Sequence, residues 1–120
     1  MLAATLPGMP LVYSGQEAVL DRRLAFFDKD EIQWKSYART DFYAGLLALK
    51  HRHRALANGA AGGALEILET GDRDHVFAFR RARGKDRVVV IANLSAEPRE
   101  VTVKGVGRRT LPAWGHLIEG

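Results

Sequence analysis

From Ala64 onward the apolar residues alternate instead of recurring at helical spacing, and this change of period most constrains the fold. Five short runs carry it: residues 64–69 (ALEILE), 75–82 (HVFAFRRA), 87–94 (RVVVIANL), 99–105 (REVTVKG) and 114–119 (WGHLIE). Successive side chains on a strand point to opposite faces, so a period of two predicts strands with one buried face. The intervening breaks, 70–74, 83–86, 95–98 and 105–112, are short and rich in Gly, Pro, Asp or Ser. Closely spaced strands with turns between them predict an antiparallel sheet or small sandwich. The run 88–94 is apolar on both faces and is expected at the centre, whereas 99–104 alternates and is expected to be half exposed. Trp114 is expected to pack its ring over the end of the sandwich, the alternative being a platform for a sugar ring.

The segment before this region has a different period. Phe42, Leu46, Leu49 and His53 fall on one face of a helix, widened by Tyr43 and Leu47, with Leu56 close by. Thr40 or Asp41 suits the N-cap and Asn58-Gly59 the stop. A helix with such a stripe is expected to pack against a sheet. Residues 58–63 (NGAAGG) then mark the break between two unequal pieces, 1–57 and 58–120. His51 and His53 lie two apart, about 200° around a helix, so they cannot share a metal ion. The expectation is that His51 is solvated and His53 sits at the edge of the packed face.

Residues 6–17, LPGMPLVYSGQE, carry the most specific local pattern. Pro10 suits the first residue of a strand or a bend before it. Leu11, Val12 and Tyr13 form a short unalternating apolar run, as in a strand buried on both faces. Gly15 permits a sharp turn, after which Gln16 and Glu17 deliver polar side chains. This stretch resembles the last barrel strand of the α-amylase superfamily of glycoside hydrolases, with Gly8, Pro10, Tyr13, Gly15 and Glu17 in the matching places. The resemblance continues through the helix, with Leu46 to Leu56, and into the β-rich tail (HVFAFRR, VVVIANLS).

The resemblance implies that 1–57 is the last βα unit of a (β/α)₈ barrel: one strand, a long loop and one helix. Residues 58–120 would be the antiparallel β-domain that follows it. The chain would be mainly β with one long helix. A whole barrel needs about 250 residues, and this chain has 120. The parent enzyme would act on α-glucosidic bonds by a retaining mechanism, with two carboxyl groups roughly 5 Å apart. The family's catalytic carboxylates lie on earlier barrel strands, and no residue here matches those motifs. The catalytic set in this chain is therefore none. Tyr13 and Glu17 are the carried-over candidates for the substrate-binding rim, Glu17 orienting barrel neighbours. Maltooligosaccharide or α-glucan would be met through the parent enzyme, and the exposed barrel segment would be covered by the β-domain or by a second copy, giving a homo-oligomer.

Other chemistries find little support in the residues. The chain has no cysteine, which excludes disulfides and thiolate catalysis. Neither a metal nor a cofactor is expected: Gly59, Gly62 and Gly63 do not fit a dinucleotide loop, Gly84-Lys85-Asp86 lacks the rest of a phosphate loop, and Ser14-Gly15 lacks the elbow of a nucleophilic serine. In the loop from 18 to 34, Asp28, Asp30 and Glu31 lie beside Lys29 and are expected to be solvated rather than paired for acid–base work. Phe26, Phe27 and Trp34 are expected to anchor that loop, although each could stack on a sugar. Asn93-Leu94-Ser95 matches a glycosylation sequon but fits a turn at a strand end.

The net charge of +4 raises the question of nucleic acid, and basic residues cluster at 51–54 and 80–87. Neither cluster interleaves aromatics, and nucleic-acid binding is not expected. The first ten residues have no basic region and are interrupted by Pro7 and Pro10, so no signal peptide or membrane span is expected and a cytoplasmic location is. A non-enzymatic β-module that binds a glycan or a protein is the alternative to the enzyme fragment.

Overall fold

The computed structural model describes residues 1–34 and 36–120. Its elements in order are helix α1 (Leu2–Thr5), helix α2 (Thr40–Arg52), two short 3₁₀ turns (Arg54–Leu56 and Gly59–Ala61), and six strands. The strands are β1 (Ala64–Ile67), β2 (Val76–Arg83), β3 (Asp86–Asn93), β4 (Arg99–Val103), β5 (Gly107–Leu111) and β6 (His116–Glu119). Strands β1, β2, β3 and β6 form one antiparallel sheet in the order β1-β2-β3-β6, and β4 pairs with β5 in a second. The fold is thus mainly β, with two antiparallel sheets and little helix.

Register decides what each face of the larger sheet meets. Ala78, Ile91 and Leu117 are cross-strand partners. They pack with Leu68, Val76, Val101, Val103 and Leu111, so the β4–β5 hairpin covers this face. One residue along, Phe79, Val90 and Ile118 are partners on the opposite face. That face meets Ala55, Leu56 and Val88, with Met1, Leu2, Leu6 and Leu49 against them. The N-terminal piece therefore roofs one side of the sheet and the hairpin the other. As its two-sided hydrophobicity predicts, β3 lies inside the sheet. β4 alternates buried and exposed residues as expected. The stretch 105–112, expected as a break, contains β5, whose sequence GRRTL buries only Leu111.

Helix α2 begins at Thr40, so its N-cap is Arg39 rather than Thr40 or Asp41, and Arg39 provides no side-chain cap. Asp41 instead lies in the first turn and Lys50, His51 and Arg52 in the last, the polarity that the helix dipole favours. Leu46 is buried and Leu49 packs on the sheet, while Phe42 and Leu47 stay partly exposed.

The strand expected at residues 10–13 does not form: this stretch is irregular and pairs with no strand among the described residues. A buried strand draws its stability from ladders on both sides, and none of the six strands lies beside it. Leu11 is 79% exposed and Met9 82%, so the cover expected for this segment is not supplied by the β-sheets. Phe26, Phe27 and Trp34 are likewise exposed rather than anchored in a core. They pair among neighbours instead, Phe26 edge-on to Phe27 and Trp34 stacked on Tyr37.

Arg81 joins the two pieces. It is the largest fully buried side chain, at 1% exposure, and it lies on the roofed face of β2. Its Nε donates to the Gly63 carbonyl at 3.1 Å and Nη2 to that of Ala57 at 3.1 Å. Nη1 donates to the carbonyls of Thr5 and Leu6, both at 3.3 Å. Beside it, Lys50 Nζ donates to the carbonyls of Leu56 at 2.7 Å and Gly8 at 3.0 Å. Burial lowers the Arg81 pKa, and burial together with the charge of Arg81 lowers that of Lys50. The close approach requires Gly62 and Gly63, because a Cβ at Gly62 would strike the Ala57 carbonyl and the Arg81 guanidinium, and one at Gly63 would strike the backbone of Ala82.

Replacing Arg81 by Met should lower stability by about 2–4 kcal/mol, because four carbonyls, two of them in fully buried hydrogen bonds, lose their donor. Arg81→Lys should recover only part of this, since an ammonium lacks the planar fork. Urea unfolding monitored by circular dichroism measures both. A loss below about 0.5 kcal/mol for Arg81→Met, the range of an ordinary surface change, would show that water replaces the guanidinium.

Candidate functional site

Tyr13 and Glu17, the two candidates for the rim, lie on a compact series of turns from residue 13 to 19. Gly15 is buried there with a φ of +95°, and its carbonyl accepts from the amides of Ala18 at 3.1 Å and Leu20 at 3.0 Å. The Gln16 amide donates to the Tyr13 carbonyl at 3.0 Å, and the Gln16 side-chain oxygen accepts from the Tyr13 amide at 3.0 Å. The Glu17 carbonyl accepts from the Arg39 amide at 3.1 Å, which ties the turns to the start of α2.

The two side chains face different surroundings. Tyr13 is 56% exposed and lines a shallow depression of about 350 Å³ with Gln16, Leu20, Arg22 and Phe26. Glu17 does not line it. One carboxylate oxygen of Glu17, Oε2, is buried with no hydrogen-bond partner among the described residues. Buried polar atoms are almost always paired, so this oxygen is a position that a further donor would complete.

The acidic run 28–31 is organised as a loop clasp. Arg22 grips Asp30 with two hydrogen bonds, at 2.7 and 2.8 Å, and also reaches the Glu31 carbonyl at 2.8 Å. The Ala25 amide donates to Asp30 at 2.8 Å. The Arg22 guanidinium and that amide hold the Asp30 carboxyl far below the usual carboxylate range. Asp30 is thus a fixed anion, the opposite of what a general acid requires. Glu31 lies 3.6 Å from Lys29 at the surface.

Among the described residues, no group of three or more His, Cys, Asp or Glu could hold a metal ion, and no helix is long and apolar enough to cross a membrane. The basic run 80–87 does not make one surface. Arg80 pairs with Glu66 on one face of the sheet, while Arg81 is buried on the other. The sequon asparagine, Asn93, is buried; its amide nitrogen donates to the carbonyls of Glu97 at 2.7 Å and Pro112 at 2.9 Å.

Trp114 also departs from the packed position expected of it. It is 66% exposed, with a φ of +56°. Its turn follows Pro112, and Pro112-Ala-Trp-Gly has no periodic signal that would have revealed the ring's exposure.

His51 is exposed and His53 nearly buried, as its helical position suggested. The partner of His53 was not evident in the sequence. Asp86, at the start of β3, takes His53 Nδ1 at 2.8 Å on one oxygen and the Ala55 amide at 2.8 Å on the other. The carboxylate caps the 3₁₀ turn 54–56 from thirty residues away. Hydrogen bonds from the Ala55 amide and then from His53 lower the Asp86 pKa from its ordinary value.

A carboxylate with a depressed folded pKa stabilises fully above the unfolded value, about 4, and loses this as pH falls through the lower folded value. Asp86→Asn should therefore cost about 1–2 kcal/mol at neutral pH, and the gap to the parent chain should close in strong acid. Urea unfolding at a series of pH values tests this. A gap that stays constant into strong acid would show that Asp86 is not the titrating group.

No family model matches the chain. Over 100 residues it is 32% identical to an alpha-amylase, MalA of Haloarcula japonica, a match that covers 81% of this chain. The chain spans only about 14% of the length of that relative.

Proposed function

We propose that the chain is the C-terminal portion of an α-amylase-type glycoside hydrolase, structural in role and without catalytic carboxylates of its own. The observation that carries this reading is the similarity to the Haloarcula alpha-amylase along most of the chain. In this reading residues 1–57 are the last βα unit of a barrel and 58–120 the β-domain behind it. The parent acts on α-glucosidic bonds by double displacement between two carboxyl groups roughly 5 Å apart, both supplied by earlier barrel strands. The α-glucan is met by the assembled enzyme.

Three features of the N-terminal piece support the reading. Leu11–Tyr13 has the composition of a doubly buried strand and no ladder partner. Met9, Leu11, Phe26 and Phe27 are apolar side chains left far more exposed than a finished fold leaves such residues. Glu17 Oε2 is buried and has no hydrogen-bond partner among the described residues. A preceding barrel strand would supply backbone partners for the first, apolar cover for the second and a donor for the third. Tyr13 and Glu17 then act at the barrel rim as positioning residues. In the isolated chain the same exposed side chains drive self-association.

The test is a chimera in which this chain replaces the matching segment of the Haloarcula enzyme, assayed on soluble starch beside the enzyme lacking that segment. The chimera should degrade starch and the truncated enzyme should not, while the isolated chain should show no turnover. A chimera no better than the truncated enzyme, or turnover by the isolated chain that survives repurification, would sink the proposal.

A further inference from the structure

We propose that Trp114 and the cavity beside it form a binding platform for a glucose unit of an α-linked glucan, remote in sequence from the turn that carries Tyr13 and Glu17. The choice of α-linked glucose rests on the reading of the parent enzyme given above. That the surface takes a neutral sugar ring rests on the geometry alone.

The backbone supplies the first observation. Large side chains rarely adopt a positive φ, and those that do are held there by their surroundings. Trp114 is so held: its amide donates to the Ser95 carbonyl at 3.0 Å, and the next amide, of Gly115, donates to the Pro112 carbonyl at 2.9 Å. The Gly115 carbonyl accepts from the Asn93 amide at 2.9 Å, and the buried Asn93 side chain holds the Pro112 carbonyl from beneath. A Cβ on Gly115 would come within 2.6 Å of the Pro112 ring, so the turn cannot relax there. The fold thus fixes the backbone of Trp114 while leaving most of the indole in water. An aromatic presented this way adds little to the core, which points to a use outside it.

The cavity supplies the second. It measures about 460 Å³ and is bordered by Trp114, Phe42, Leu94, His116 and the first residues of α1. No Asp, Glu, Lys or Arg side chain lines it, although the chain carries a net charge of +4 and the depression beside Tyr13 borders Arg22. The one formal charge at its edge is the Met1 amino group, near His116, while the lining side chains themselves offer a ligand only apolar and neutral polar groups. His116 stands edge-on to Phe42, and its ring nitrogens have no hydrogen-bond partner among the described residues. A flat apolar face beside a neutral polar group matches a pyranose, whose C–H face lies on an indole and whose hydroxyls reach a ring nitrogen.

The experiment is calorimetric titration of the whole chain with maltoheptaose, and with cellohexaose as the β-linked control. Maltoheptaose should bind and cellohexaose should bind more weakly. Trp114→Ala should weaken maltoheptaose at least about tenfold, and Trp34→Ala should leave it unchanged. Trp114→Asn is the second variant, because asparagine accepts the left-handed backbone. It should melt no lower than the parent chain yet bind as poorly as Trp114→Ala, a combination that a purely structural tryptophan would not give. Absence of binding at millimolar sugar, binding indifferent to both Trp114 variants, or equal binding of the two sugars would overturn the proposal. A chain that completes the starch-degrading chimera but binds no maltoheptaose defeats this site alone. One that binds through Trp114 but fails in the chimera defeats the enzyme reading alone.

Discussion

The structure depends on one buried positive charge. Arg81 lies inside the molecule without a carboxylate partner, its guanidinium shared among four backbone carbonyls from the N-terminal helix, the end of the α2 region and the strand entry. An ion taken from water is costly unless its hydrogen-bonding capacity is met. Here it is met only when all three segments occupy their places together. The same donors satisfy carbonyls that end short helices and would otherwise be orphaned. The guanidinium thus sets where the N-terminal piece lies on the sheet, and Lys50 repeats the device one step outward by holding Gly8 and Leu56.

The alternation of β2 gives the adjacent arginines opposite fates. Arg80 projects to the side that the hairpin leaves open and pairs with Glu66 across the strand, whereas Arg81 projects under the roof. A slip of one residue in register would bury the surface ion pair and expose the guanidinium, together with Phe79 and Val90. Two like residues side by side therefore define the register as firmly as the apolar pattern does. The Asp86 carboxylate adds a further restraint, joining the start of β3 to the 3₁₀ turn at the end of the helical region.

What the sequence revealed follows from the range of the forces involved. The strands with a clean period of two are recovered near their expected positions, because alternation is written locally and the core reads it directly. β5 escaped notice because Gly107, Arg108 and Arg109 carry no apolar alternation; its place comes from pairing with β4 and from Arg109 meeting Glu119. Residues 10–13 show the converse: their composition suits a strand, yet a ladder needs neighbours that these 120 residues do not provide. Asp86 and Arg81 act over 18 to 76 positions of sequence, so no local pattern announces them. The rim candidates Tyr13 and Glu17 were legible only as a motif. The exposure of Trp114 arises from a turn held by Asn93 and Ser95 at the far end of β3 as well as by its own Pro112.

The reach of Arg81 also sets the order in which the molecule can assemble. The β2–β3 hairpin closes across two residues and forms from local contacts, whereas Thr5 meets Arg81 only after 76 residues of chain are gathered. Loops of that length close late, because their entropy is lost before any distant contact compensates for it. During synthesis α1 emerges before β2 and has no place on these sheets to dock until β2 has been made. For that interval its apolar residues and those of residues 9–13 are both in the open. Within these 120 residues the first segment is thus the last to become structure, and the one most dependent on a companion while it waits.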